Sequence, residues 1–192
     1  MNLPNKLTML RIVMVPLVVL IYLLIPQNFC VISQINGLAL RDILAFIVFA
    51  AASFTDMLDG QIARKQHLIT SFGKFADPIA DKMLVNTLLI LLVYTHQANV
   101  VAVLLMIARD LVVDGLRMLA SQHGKVVSAG FFGKLKTVLQ MFAIVFLLLK
   151  NWPFVYMGLP IDQILLWAAT IVSLWSGFVY FVQLKDYVLE SM

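Results

Sequence analysis

The sequence predicts an all-α integral membrane protein, a bundle of six transmembrane helices with both termini in the cytoplasm. Three observations lead there. The 192 residues are 62% hydrophobic and 12% charged, with a mean hydropathy of +0.96; a soluble domain averages about 45–50% apolar and about 25% charged. Apolar runs recur along the whole chain, broken by short polar stretches. When six spans are threaded from a cytoplasmic N-terminus, only Arg41 and Lys150 of the 14 Lys and Arg fall on the outer side, as the positive-inside rule requires. This composition excludes a water-soluble globule, a disordered chain and a basic nucleic-acid-binding module. The net charge of +4 reflects the membrane bias instead. Cys30 is the only cysteine, which excludes an intramolecular disulfide and a cysteine metal cluster. No linker is long enough to divide the chain, so residues 1–192 read as one domain.

Each span is close to the roughly 20 residues that cross a bilayer. The first is Thr8–Ile25. Lys6 and Arg11 ahead of the run Ile12–Ile25 also resemble a secretory signal. No small-x-small cleavage site follows in Pro26-Gln27-Asn28-Phe29-Cys30, so the segment is expected to stay. The second span, Leu40–Ala63, ends among carboxylates. The third, Pro78–His96, opens on a proline that a first helical turn tolerates. Its run Leu88–Val93 does not alternate as a membrane strand would. The fourth, Ala98–Ser121, carries Arg109 and Arg117. The fifth, Phe132–Lys150, starts with Lys134 and Lys136, and the sixth, Ile161–Gln183, holds Trp167 and Trp175.

The acidic residues point to chemistry. Of ten Asp and Glu, four lie in one short stretch where span two ends and span three begins: Asp56, Asp59, Asp77 and Asp81. Charge at such depth is expensive and usually marks a site. Asp56 and Asp59 are three apart and Asp77 and Asp81 four apart, so each pair shares a helix face. The short connection sets the two helices side by side, and the four carboxylates are expected to converge. Such a group repels itself unless a cation sits within it. All-oxygen ligation suits Mg²⁺ or Mn²⁺ and not zinc, and four carboxylates can bridge two ions about 3.5–4 Å apart. Gly60, Ala63 and Gly73 remove side-chain bulk beside them, and Arg64 offers a planar fork for phosphate. Together these residues form a plausible cradle for a metal-bound pyrophosphate. The rival reading is a set of interfacial charges paired with Arg64, Lys65, Lys74 and Lys82.

The pattern Asp56-x-x-Asp59-Gly60-x-x-Ala63-Arg64-x₈-Gly73-x₃-Asp77-x₃-Asp81 resembles the complete signature of the CDP-alcohol phosphotransferase family. The resemblance implies that Asp56, Asp59, Asp77 and Asp81 bind two Mg²⁺ or Mn²⁺ ions and that Asp81 is also the catalytic base. It implies that Gly60, Ala63, Arg64 and Gly73 shape the CDP site. It also implies a homodimer in a bacterial plasma membrane, with the active site facing the cytoplasm.

A second, basic set suggests the acceptor. Arg109 and Arg117 are eight apart on span four, roughly on one face, and Lys134 and Lys136 open span five. Cations there favour an anionic acceptor, although the positive-inside rule alone would also place them, and Asp110 and Asp114 could pair with the arginines along the helix. Ala108-Arg109-Asp110, Leu116-Arg117 and Gly133-Lys134-Leu135-Lys136-Thr137 are similar to the family's bacterial branch that makes phosphatidylglycerol phosphate. So is the opening Pro4-Asn5-x-Leu7-Thr8-x-x-Arg11. That resemblance implies glycerol 3-phosphate as acceptor, held by Arg109, Arg117, Lys134 and Lys136. Asn5 and Thr8 would contact the CDP-lipid; a helix cap at Thr8 and a membrane-surface anchor at Arg11 are the plainer alternatives. The expected reaction transfers the phosphatidyl group of CDP-diacylglycerol to glycerol 3-phosphate and releases CMP. Synthesis of an inositol phosphate lipid or cardiolipin is the alternative acceptor chemistry. A divalent-cation transporter would need polar groups through the bilayer, and Val138–Leu149 has only Gln140.

Overall fold

A computed structural model describes residues 2–33, 35, 37–65, 71–122 and 130–190, with backbone alone at 3–4, 57–65, 71–72, 74–75 and 186–190. Six long helices dominate it: α1 Leu3–Leu24, α2 Leu40–Lys65, α3 Ser71–Tyr94, α4 Val100–Gln122, α5 Phe131–Leu148 and α6 Ile161–Glu190. Three of them contain stretches long and apolar enough to cross a bilayer: Asn5–Leu24, Phe131–Leu148 and Ile161–Lys185. The expected number and order of helices are met, and their ends shift by a few residues. The largest shifts are at the end of α6, which runs on to Glu190, and at the start of α3, which begins at Ser71, so Pro78 lies inside the helix and not in its first turn. Its ring removes one backbone hydrogen bond without ending the helix. Asp77 and Asp81 therefore stand on a continuous helix.

The sequence reading did not anticipate a small hairpin between α1 and α2. Strand β1, Val31–Ser33, pairs antiparallel with β2, Leu38–Ala39, and Leu40 N–H donates to Cys30 O at 2.8 Å. It leads directly into α2. A buried polar knot fixes this end of the bundle. The Asp42 carboxylate, fully buried, accepts from Ala39 N–H at 3.2 Å and from the Tyr22 hydroxyl at 3.4 Å. Arg41 donates to Gln27 Oε1 at 3.1 Å, and Lys150 Nζ lies 3.8 Å from Asp42. Charge sequestered from water must be matched locally, and here it ties α1, α2 and the end of α5. Asn99 caps α4 by accepting from Val101 N–H at 2.9 Å.

Helix α1 packs along α2 and α3, and α6 packs along α4 and α5. One apolar core joins the two trios, with Phe49, Leu88, Leu89, Leu92, Met106, Ile144, Leu147 and Leu166 at its centre. Ala45, Ala52, Ala102, Ala143 and Ala169 are fully buried. Small residues at these contacts let helix backbones approach closely. Outward, Leu23, Leu24, Phe142, Ile171 and Phe178 are exposed, an apolar belt that suits lipid.

Candidate active site

The opposite end of the bundle gathers the polar residues singled out above. Asn5, Thr8 and Arg11 are three apart on α1, so they share one face, and all three are buried. That face meets the acidic helices. Arg11 Nη1 lies 2.8 Å from Asp56 Oδ1 on α2. The Thr8 hydroxyl donates to Asp77 Oδ1 on α3 at 2.5 Å. Arg11 is 1% exposed whereas Asp56 is 41% exposed. The guanidinium is thus anchored inside the bundle while the carboxylate opens outward. This is not the surface anchor that the sequence allowed for Arg11, nor the cap it allowed for Thr8.

A cavity of about 150 Å³ lies next to this acidic end, between α3, α4, α5 and α6. Asp81 and Lys82 line it from α3; Arg109, Asp110, Asp114 and Arg117 from α4; Lys136 and Gln140 from α5; and Tyr180 from α6. The structure therefore brings Asp81 together with three of the four expected acceptor cations. Lys134 is exposed and is not among the lining residues. It stands two positions from Lys136, on another helix face.

The cations are held in place by a network. Asp110 accepts from Arg109 Nη1 at 2.8 Å and, across to α5, from Lys136 Nζ at 2.6 Å. Both of its oxygens are engaged in a buried setting, where charge-assisted bonds are strong. Arg109 Nη2 also donates to Ser176 Oγ at 2.7 Å, and its guanidinium lies 5.9 Å from the Tyr180 ring centre. The Tyr180 hydroxyl accepts from Gly130 N–H at 2.9 Å. Gly177 has to be small: a Cβ there would stand 2.8 Å from Arg109 Cγ. Asp114 pairs with Lys82 on α3. Neither Lys82 nor the α6 residues Ser176, Gly177 and Tyr180 were expected at the site. A usable signal was present: Ser173, Ser176 and Tyr180 recur at helical spacing in an otherwise apolar span.

A family model described as CDP-alcohol phosphatidyltransferase matches residues 1–175. The chain belongs to the CDP-alcohol phosphatidyltransferase family. It is similar to the CDP-diacylglycerol–glycerol-3-phosphate 3-phosphatidyltransferase of Bacillus subtilis (strain 168), with 40% identity over 181 residues, 94% of this chain and 93% of that one. The protein of the same name from Rickettsia typhi (strain ATCC VR-144 / Wilmington) is 38% identical over 188 residues, 97% of this chain and 98% of the relative. That of Pseudomonas fluorescens is 35% identical over 186 residues, 94% of this chain and 88% of the relative. The family match takes in the α1 face, the acidic motif and the basic set alike.

The motif's resemblance implied divalent metal, and the donor set of Asp carboxylates is oxygen only, the right kind for a hard ion. Thr8 and Arg11 each engage one oxygen of a motif carboxylate, the outer support that ligating carboxylates commonly have. Among the described residues no three acidic or His/Cys side chains form a group that could hold an ion. Asp59, Gly60, Ala63 and Arg64 are described in backbone alone, and their side-chain surroundings lie outside the described residues, so the expected set is only partly in view. Gly73 is buried on α3, one turn before Asp77.

Proposed function

We propose that this protein transfers the phosphatidyl group of CDP-diacylglycerol to glycerol 3-phosphate, giving phosphatidylglycerol phosphate and CMP. The observation that carries this reading is the cavity in which Asp81 of the family motif faces Arg109, Arg117 and Lys136. A carboxylate beside a cluster of cations suits an acceptor with a hydroxyl at one end and a phosphate at the other. The names of the relatives from Bacillus subtilis and Rickettsia typhi, which cover nearly the whole chain, support the same acceptor.

The chain's residues divide the work. Arg109, Arg117 and Lys136 hold the acceptor phosphate by charge-assisted bonds, with Lys134 contributing from outside the cavity. Asp110 keeps Arg109 and Lys136 oriented. The primary hydroxyl then attacks the phosphorus that bears the diacylglycerol. A new O–P bond forms, the pyrophosphate O–P bond breaks, CMP departs with the electron pair, and Asp81 takes the hydroxyl proton. Asn5, Thr8, Gly60, Ala63, Arg64 and Gly73 shape the CDP-lipid side. Asp56, Asp59, Asp77 and Asp81 would hold two Mg²⁺ or Mn²⁺ ions, which supply positive charge to the pyrophosphate oxygens. The enzyme acts as a multi-pass homodimer in a bacterial plasma membrane, its six helices spanning the bilayer with both termini and the site on the cytoplasmic face.

An acceptor panel tests this reading. Purified protein is given labelled CDP-diacylglycerol, Mg²⁺ and, in turn, glycerol 3-phosphate, glycerol, inositol phosphate and phosphatidylglycerol. Phosphatidylglycerol phosphate and CMP should form with the first. Turnover confined to another acceptor would overturn it.

A further inference from the structure

The cavity contains two acid–base pairs of opposite character. Asp110 and Lys136 are about one-tenth exposed, a buried pair whose separation would strand a charge and is strongly resisted. Lys82 and Asp114 are 40% and 43% exposed and join α3 to α4 along the same wall. An ion pair so open to water contributes little and is readily exchanged. A phosphate dianion entering beside it offers Lys82 a stronger, charge-assisted partner. Lys82 also follows Asp81 directly in the chain, and both line the cavity.

We propose that Lys82 is a further phosphate-binding and specificity-determining residue, which exchanges Asp114 for the phosphate of the acceptor. Asp114 is then a competitor for Lys82, and removing it favours the acceptor. This rests on the reading of the cavity as the glycerol 3-phosphate site. It separates Lys82 from the other lysine of the cavity: Lys136 stays locked on Asp110 and Lys82 moves. The same step explains why an acid is tolerated in a phosphate pocket. Asp114 neutralises Lys82 and releases it when phosphate arrives.

The test is a double-mutant cycle read as the KM for glycerol 3-phosphate, with glycerol as the phosphate-free control. Loss of a charge-assisted phosphate bond raises KM about 10-fold or more in Lys82→Met. Asp114→Asn is expected to lower KM about 2- to 5-fold, the worth of an exposed ion pair. A tighter acceptor cannot come from a damaged fold, so this arm stands even if Lys82→Met accumulates poorly. In the double variant, Asp114→Asn should no longer lower KM, because the cation it liberates is gone. The KM for glycerol should stay unchanged throughout. An unchanged or raised KM in Asp114→Asn overturns the exchange, as does an equal lowering with and without Lys82, which would mark only a general field effect. If the parent protein fails to prefer glycerol 3-phosphate over glycerol, the acceptor reading itself falls. If that preference holds and both variants keep the parent KM, only the exchange falls.

Discussion

Asp110 is the residue on which the charge balance of the cavity turns. It is buried, and it holds Arg109 on its own helix and Lys136 on the next. Taking away one member of a buried charged set costs about 3–5 kcal/mol, because the partners are left without compensation. Asp110→Asn should therefore lower thermal stability in detergent and activity together. Arg117→Ala, at an exposed position of the same helix, should leave the melting temperature close to the parent value. Equal melting temperatures for both variants would contradict the network. The sequence suggested Asp110 only as a local partner of Arg109. Its bond to Lys136 joins residues 26 positions apart, and no helical spacing reveals a partner on another helix. Ser176 and Tyr180 shared a legible face of α6, but nothing in the sequence ties that face to Arg109 on α4.

Among the elements, α1 carries more of the site than its apolar length suggests. Its Thr8 and Arg11 reach across to α3 and α2 and engage Asp77 and Asp56. Residues that orient ligating carboxylates typically matter 10- to 100-fold in metal affinity or activity, so Arg11→Gln and Thr8→Val should each raise the Mn²⁺ concentration for half activity about 10-fold or more. Thr8→Ser, which keeps the hydroxyl, should restore it. Parent-like Mn²⁺ dependence in Thr8→Val would contradict the role given to α1. The six helices were legible because long apolar runs and sparse charge leave the backbone few alternatives in lipid. The hairpin β1–β2 was not, since strands of two and three residues carry no periodicity. The start of α3 was missed because Pro78 reads as a helix opening, while packing carries the helix through it.

The two ends of the bundle also make opposite predictions about the membrane. Cys30 is exposed at the end that holds the Arg41–Asp42–Lys150 knot, and it should react with an impermeant thiol reagent in intact cells. A cysteine placed within residues 66–70 of a Cys30→Ser protein should react only after the membrane is opened. The reverse pattern would put the site on the outer face.

At the scale of the whole molecule, two centres meet at one end: an acidic one built by α1, α2 and α3, and a basic one built by α4, α5 and α6. Asp81 belongs to the first by motif and lines the second, so in the proposed reaction the acceptor hydroxyl attacks phosphorus and gives up its proton in the same place. The acidic centre should fail without metal. Excess chelator should abolish turnover and Mg²⁺ or Mn²⁺ should restore it, whereas full turnover in chelator would remove the reason for four carboxylates. The acidic centre was legible as two Asp pairs at three- and four-residue intervals, whereas Thr8 and Arg11 of α1, the helix that packs along both α2 and α3, engage Asp77 and Asp56 through no interval the sequence shows. The basic centre was legible in part. Its arginines stood out as charge in an apolar helix, but Lys134 and Lys136 look alike in sequence and only the helix geometry separates them.

In the proposed reaction the basic centre reads the acceptor's phosphate. This is tested most directly by comparing kcat/KM for glycerol 3-phosphate and for glycerol in the parent protein and in Arg117→Ala. Losing a charge-assisted bond to phosphate costs about 1.5–3 kcal/mol, or about 10- to 150-fold. The preference for glycerol 3-phosphate should narrow by that factor in Arg117→Ala, through a raised KM for glycerol 3-phosphate and little change with glycerol. A preference as wide in the variant as in the parent, repeated for Arg109→Ala and Lys136→Met, would show that these cations follow only the charge bias of a membrane protein.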